Sequence, residues 1–258
     1  MAEDKEVAAK ILCKTHGVLA GIPFANAIFQ ELNCSPNWLF KEGEFLEGSP
    51  TCEVAYVGGE ARNILLAERV VLNVISRCSG VATQARRVKQ MVDSIGWKGM
   101  IAGTRKTTPG FRVVEKYGLL IGGVKTHRFD LSNMIMIKDN HIALSGGSIT
   151  RAMNAVKAVN DFVSKVEVEC RDLNEAKEAA DCGADIVMLD NFTQKEMHDT
   201  SRYLKKNYPS LLLEVSGGIT PEDVLQFAIP SIDIISLSAL VQGYPSVDFS
   251  MKVLKPQT

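Results

Sequence analysis

The chain has little of what marks the specialised classes of protein. Its six cysteines, Cys13, Cys34, Cys52, Cys78, Cys170 and Cys182, include no CxxC pair, which argues against a zinc ribbon or a disulfide frame. No apolar run reaches the length of about 18 residues that a membrane span needs. The best candidate, ILLAERVVLNVI, is cut by Glu68 and Arg69. The opening segment MAEDKEVAAK is acidic and has no apolar stretch of the kind a secretory signal carries. Scattered thiols without a signal read as a cytoplasmic protein. Internal repeats, low-complexity tracts and disordered linkers are also missing. Nucleic acid is a poor fit as partner, because the net charge is only −1 and no basic stripe alternates with aromatics.

What the chain does have is a local concentration of positive charge. From Thr104 to Lys138 there are seven Lys/Arg (Arg105, Lys106, Arg112, Lys116, Lys125, Arg128, Lys138) against two acids, a balance of +5. The other 223 residues hold 22 Lys/Arg against 28 acids, a balance of −6. A basic cluster inside a neutral protein implies a local anionic partner. Guanidinium forks and compact ammonium groups together suit a small, highly charged anion.

At 258 residues the chain suits one α/β barrel or two small domains. Its second half repeats a short apolar strand, a polar residue, a turn and a helix. The strands read MIAG (100–103), MIMI (134–137), KVEVE (165–169), DIVML (185–189), LLLEV (211–215) and DIISL (233–237). Ser148, Asp172 and the Thr193/Glu196 pair are helix start signals, Thr220–Pro221 is another, and Gly183 is a stop. Strands alternating with helices predict a parallel sheet, open or closed into a barrel. In the first half, GVLAGIPFANAIFQELN predicts a turn and a helix, and EVAYVGG a strand. ARNILLAERVVLNVISRCSGVATQARRVKQMVDSIG predicts two helices broken near Ser79–Gly80.

Arg105, Lys138, Glu169, Asp190, Ser216 and Ser238 come at or just beyond the six strand ends, the edge where α/β sheets bind ligands. Arg105 and Lys106, with Thr107 and Thr108 before Pro109–Gly110, offer cations and hydroxyls to phosphate or carboxylate oxygens. His127 and Arg128 precede one strand and Lys138 ends it, extending the same anion site. His141 reads as structural, since polar residues after a strand commonly satisfy backbone groups. Glu169 and Asp190 face the basic wall and suit Mg²⁺, which takes few carboxylates together with waters and phosphates; alternation puts Glu167 on the face of Glu169. Ser216–Gly217–Gly218, running into the helix expected at Thr220–Pro221, reads as a phosphate cup, with Ser236–Leu237–Ser238 as its opposite rim.

GTRKTTPGFRVVEKYGLLIGG, THRFDLSNMIMIKDNH, KVEVEC, DIVMLDN and EVSGGIT, in this order, resemble the quinolinate phosphoribosyltransferase family. The resemblance runs from GVLAGIPF near residue 17 to VDFSMK near 252, almost the whole chain. It implies an α/β fold of the type II phosphoribosyltransferase kind. An amino-terminal sandwich-like α/β domain is expected over 1–97, with the tail 244–258 packed back on it. An incomplete barrel of about seven strands is expected over 98–243. The implied reaction joins quinolinate to phosphoribosyl pyrophosphate with Mg²⁺ and releases pyrophosphate and CO₂, in NAD biosynthesis. By resemblance Arg69, Arg105, His127, Arg128 and Lys138 hold the two quinolinate carboxylates, and Thr104 is a further substrate-binding residue. Lys106, Lys138, Glu169, Asp190 and Ser216–Gly218 face the other substrate and its metal. Arg69 reaches the neighbouring subunit's site, which implies at least a homodimer, with a hexamer also compatible. Ser238 stands where the family commonly has glycine. The alternatives are a transferase for a monocarboxylate such as nicotinate, which needs fewer cations, and a non-catalytic anion binder.

Overall fold

The computed structural model describes residues 5–48 and 50–254. In chain order its elements begin with β1 (Glu6–Cys13), β2 (Gly17–Val18), α1 (Ile22–Glu31), β3 (Ser35–Trp38), β4 (Phe45–Leu46), β5 (Cys52–Glu60) and α2 (Ala61–Ser94). Next come β6 (Met100–Gly103), α3 (Arg112–Ile121), β7 (Ile135–Ile137), α4 (Asp139–Leu144), α5 (Ile149–Lys157) and β8 (Val166–Cys170). They end with α6 (Leu173–Asp181), β9 (Ile186–Asp190), α7 (Gln194–Asn207), β10 (Leu212–Ser216), β11 (Ile234–Leu237) and β12 (Phe249–Val253). Single 3-10 turns lie at Val224–Gln226 and Ser238–Leu240. The elements form two compact units. One comprises the described residues up to Lys89, Thr107–Val124 and the described residues from Leu240; the other comprises Gln90–Lys106 and Lys125–Ala239. The division therefore does not fall at one point near residue 97: the segment after Lys106 returns to the first unit and brings α3 with it.

In the first unit, β12-β1-β5-β3 form an antiparallel sheet. The last strand, β12, lies beside the first, so Phe249–Val253 of the expected tail belong to this sheet, while 255–258 lie outside the described residues. On α2, Ile64, Ala67, Val71, Ile75, Cys78, Ala82 and Ala85 are buried at spacings of three and four, one continuous apolar stripe. Ile64, Ala67, Val71 and Ile75 share a core with Ile11, Phe29, Val57 and Phe249, and Cys78 and Ala82 pack in a second cluster with Val18 and Val114. The stripe does not stop at Ser79–Gly80, and two helices were expected where there is one. Ser79 and Gly80 form a notch rather than a break. Ser79 Oγ accepts the Ala20 N–H at 2.9 Å and donates to the Ala20 carbonyl at 3.2 Å. A β-carbon on Gly80 would stand 2.3 Å from the Pro245 carbonyl oxygen. Close approach of the backbone thus explains a glycine in a helix interior, where it costs about 1 kcal/mol relative to alanine.

The second unit is a parallel sheet of six strands in the order β6-β11-β10-β9-β8-β7. Each of the six sits within a residue or two of its predicted position. Six strands, not seven, are found among the described residues; only an isolated parallel bridge, Ala102 to Lys125, stands on the outer edge of β6. The helix starts follow local chemistry. Ser148 accepts from the Arg151 amide, and Asp172 from the amides of Asn174 and Glu175. Thr193 and Glu196 form a reciprocal capping box. The helix expected after Thr220–Pro221 is missing. Asp223 Oδ1 accepts the Thr220 N–H at 2.7 Å, and Pro230 disfavours helix at Ile229, so only the turn at Val224–Gln226 fits between the two prolines. Among the described residues, no helix is long and apolar enough to cross a membrane.

Candidate active site

Side chains alternate along a strand, so residues two apart share a face. On β8 this aligns Glu167 with Glu169, on β9 Met188 with Asp190, on β10 Glu214 with Ser216, and on β11 Ile234 with Ser236. In-register parallel pairing sets Ser216 beside Asp190 and Glu214 beside Met188. The carboxyl ends enclose a cavity of about 530 Å³. Thr104, Arg105 and Lys106 line it from the end of β6, His127 and Arg128 from the segment before β7, and Lys138 from the end of β7. Glu169, Asp190, Ser216, Gly217 and Gly218 complete the predicted lining. Residues dispersed over more than a hundred positions of sequence thus meet at one mouth.

Several predicted residues lie elsewhere. Ser238 opens a 3-10 turn, and the serine of this segment that lines the cavity is Ser236, two residues earlier. Arg69 belongs to α2 in the first unit; its side chain is 72% exposed and lies 4.0 Å from Glu68. Thr107 and Thr108 are not in the lining. Thr108 donates to Glu115 through its amide (3.1 Å) and hydroxyl (2.7 Å), and Thr107 Oγ1 accepts from Arg112 Nε at 3.1 Å. His141 is structural: its Nδ1 accepts the Lys138 N–H at 2.9 Å and caps α4. Ser216–Gly218 leads into a glycine turn, not a helix, so any phosphate there meets backbone N–H groups without a helix dipole.

The mouth balances four fixed cations against acids. Lys138 Nζ donates to Glu169 Oε2, and Asn191 Nδ2 donates to Asp190 Oδ2 at 2.7 Å. Arg128 is only 8% exposed. Burial, aided by the neighbouring Arg105 charge, holds its guanidinium below the ordinary value. One amino group of Arg128 rests 2.9 Å from Met136 Sδ, and Nε is buried without a partner among the described residues. An unsatisfied buried donor is costly, and a bound carboxylate would satisfy it.

Beneath the cations lies a set that the sequence reading largely missed. Glu214 and Glu167 are both fully buried. Glu214 Oε1 accepts from Ser236 Oγ at 2.6 Å, and Oε2 lies 3.0 Å from His127 Nε2. Glu167 Oε2 is 3.7 Å from the same nitrogen. Burial, with the Glu214 carboxylate beside it, pushes the Glu167 carboxyl well above the usual carboxylate range. His127, Glu167 and Glu214 are close enough to suggest a metal triad. The ring argues otherwise: Nδ1 accepts the Arg128 N–H at 2.8 Å. A neutral imidazole accepting there carries its hydrogen on Nε2, the nitrogen that faces the carboxylates. The only sequence signal for Glu214 was one acid inside an apolar strand, two residues before Ser216.

For a divalent cation the better donors are Glu169 and Asp190. Both are hard oxygen ligands lining the cavity, and two carboxylates leave room for water and phosphate oxygens, the kind of donor set Mg²⁺ takes.

Comparison with known proteins adds the following. The family model described as "Quinolinate phosphoribosyl transferase, N-terminal domain" matches residues 1–79, and the C-terminal-domain model of the same family matches 81–252. The carboxylating nicotinate-nucleotide pyrophosphorylase of Homo sapiens is 50% identical over 245 residues, covering 95% of this chain and 82% of that protein. The protein of the same name from Dictyostelium discoideum is 49% identical, covering 97% of this chain and 87% of its own. Among solved structures, NadC from Streptococcus pyogenes superposes with a TM-score of 0.89 at 33% identity, over 99% of this chain and 89% of that one.

Proposed function

The chain belongs to the quinolinate phosphoribosyl transferase family, and from that premise we propose how its mouth carries out the family reaction. It is a phosphoribosyltransferase of the carboxylating nicotinate-nucleotide pyrophosphorylase type, acting in NAD biosynthesis. Quinolinate, a dicarboxylate, binds against Arg105, Arg128 and Lys138, with Thr104 and His127 in the same wall. Phosphoribosyl pyrophosphate lies against Lys106, Ser216 and the Gly217–Gly218 turn. The observation that carries this division is the pairing of a buried, donor-rich Arg128 with an open glycine turn in one cavity. A monocarboxylate would leave part of that cationic wall unpaired.

The work of the residues is positional and electrostatic. Two anions repel each other, and converging cations in a poorly solvated mouth offset that repulsion. Held there, the ring nitrogen of quinolinate attacks the anomeric carbon, the carbon–oxygen bond to pyrophosphate breaks, and pyrophosphate leaves with the electron pair. The ring nitrogen is then quaternary and positive. When the adjacent carboxylate departs as CO₂, the ring takes up the bond's electrons and a proton replaces the lost group. No protein nucleophile is required. Glu169 and Asp190 would hold Mg²⁺, whose charge favours the departing pyrophosphate; Lys138 holds Glu169 in place until then.

Three further parts of the reading concern partners and place. Arg69 is donated to a neighbouring subunit's site, so the enzyme is at least a homodimer. Its exposure, and that of the adjacent Leu65, Leu66 and Val70, supports this. The six free cysteines suit a reducing, cytoplasmic setting. The test of the whole is formation of nicotinate mononucleotide from quinolinate, phosphoribosyl pyrophosphate and Mg²⁺, with nicotinate as competitor. Efficient use of nicotinate overturns the dicarboxylate assignment. Mixing inactive Arg69→Ala and Lys138→Ala proteins tests the shared site. Recovery of activity supports it; none after verified subunit exchange contradicts it.

A further inference from the structure

Glu214 poses a question that substrate binding does not answer. It is a fully buried carboxylate in the middle of β10, between Leu213 and Val215, and such a group is costly unless it is held. It is held from two sides, by the Ser236 hydroxyl at 2.6 Å and by His127 Nε2 at 3.0 Å. The hydroxyl and the ring each donate, so both oxygens are engaged. On its far side the ring accepts the Arg128 backbone N–H at 2.8 Å. That bond requires the tautomer with hydrogen on Nε2, and Glu214 is the acceptor that favours it. His127 also adopts φ +54°, a left-handed backbone that residues other than glycine take only when their surroundings enforce it. Arg128, next in the chain, is the buried guanidinium of the mouth.

We infer that Glu214 is a positioning residue for the transferase reaction: through the His127 tautomer it holds the His127–Arg128 turn, and so aims the Arg128 fork at the acceptor's carboxylates. His127, with both ring nitrogens engaged, is a fixed part of that wall. This rests on the functional reading above, which assigns the acceptor to the Arg128 side of the mouth.

Glu214→Gln tests it with little change of volume. The amide still fills the site, but the charge that selects the tautomer is gone. The KM for quinolinate is expected to rise roughly tenfold or more, the scale of one charge-assisted hydrogen bond. The KM for phosphoribosyl pyrophosphate and the melting temperature should change little. His127→Asn supplies the control, since asparagine tolerates a positive φ and keeps an acceptor near the Arg128 amide, yet cannot reach Glu214. In that background Glu214→Gln should add no further loss, whereas multiplicative losses would show Glu214 acting directly and overturn the inference. An unchanged KM for quinolinate in Glu214→Gln would also overturn it. Nitrogen NMR of the His127 ring separates this from failure of the functional reading. Even if wild type does not turn over quinolinate, Nε2–H in wild type and a shift in Glu214→Gln uphold the coupling. An unshifted ring sinks it.

Discussion

Adding one methyl group at Gly218 tests the phosphate turn directly. Gly217 and Gly218 have φ of +97° and +61°. The two sites differ in what a β-carbon would meet. At Gly217 it would stand 2.3 Å from Asn191 Oδ1 and 2.9 Å from the Asn191 backbone nitrogen, whereas at Gly218 nothing lies within 4 Å. Gly218→Ala therefore costs only the left-handed backbone, about 1–2 kcal/mol. Part of this is offset by the lower entropy of the unfolded chain, about 0.4–1 kcal/mol. A net loss near 1 kcal/mol lowers the melting temperature of a chain this size by about 2–4 °C. The methyl would occupy the open space beside the turn where the phosphate is assigned. The KM for phosphoribosyl pyrophosphate should then rise about tenfold, equivalent to about 1.4 kcal/mol, with the KM for quinolinate unchanged within twofold. Steady-state kinetics beside a thermal melt decide it. A stable Gly218→Ala protein with the wild-type KM for phosphoribosyl pyrophosphate would refute the phosphate assignment. Gly217→Ala should melt lower still, because Asn191 must move.

Other perturbations probe other links. Arg105→Lys keeps the charge and removes the planar fork, so the KM for quinolinate should rise while the melting temperature holds; an unchanged KM argues against carboxylate binding there. Gly80→Ala should destabilise the first unit by about 1–3 kcal/mol, because its methyl meets the Pro245 carbonyl; a wild-type melt would show that the notch is not needed. Glu196 has its carboxyl lowered, first by the Thr193 hydroxyl and then by its amide. A lowered folded pKa stabilises at pH above the ordinary carboxylate range, and that contribution fades as the pH falls through the lowered value. Glu196→Gln should flatten this part of the acid limb of stability, and an unaltered limb contradicts the cap.

The strands of the parallel sheet were readable because each is a short apolar run with a turn behind it, so periodicity and punctuation agree. The mouth followed, since polar residues at parallel strand ends have one place to converge. What escaped was set by contacts distant in sequence. Glu6–Cys13 sets one acid and one lysine among alanines and apolar residues without strict alternation, and is legible as a strand only once β5 and β12 flank it. Ser79–Gly80 looks like a helix break until the backbones of Ala20 and Pro245 press against it. Arg105–Lys106 and Thr107–Thr108 are adjacent in the chain but divide between two units. Glu214 is one acid in an apolar strand, and its role depends on a histidine 87 positions away.

The most direct measurement is release of CO₂ from carboxyl-labelled quinolinate by wild type, Arg105→Ala and Lys138→Ala, with matched thermal melts. Release that requires phosphoribosyl pyrophosphate and Mg²⁺, and that is lost in both variants while they remain folded, is the expected result. Undiminished release from either folded variant would contradict the assignment of the reaction to this mouth.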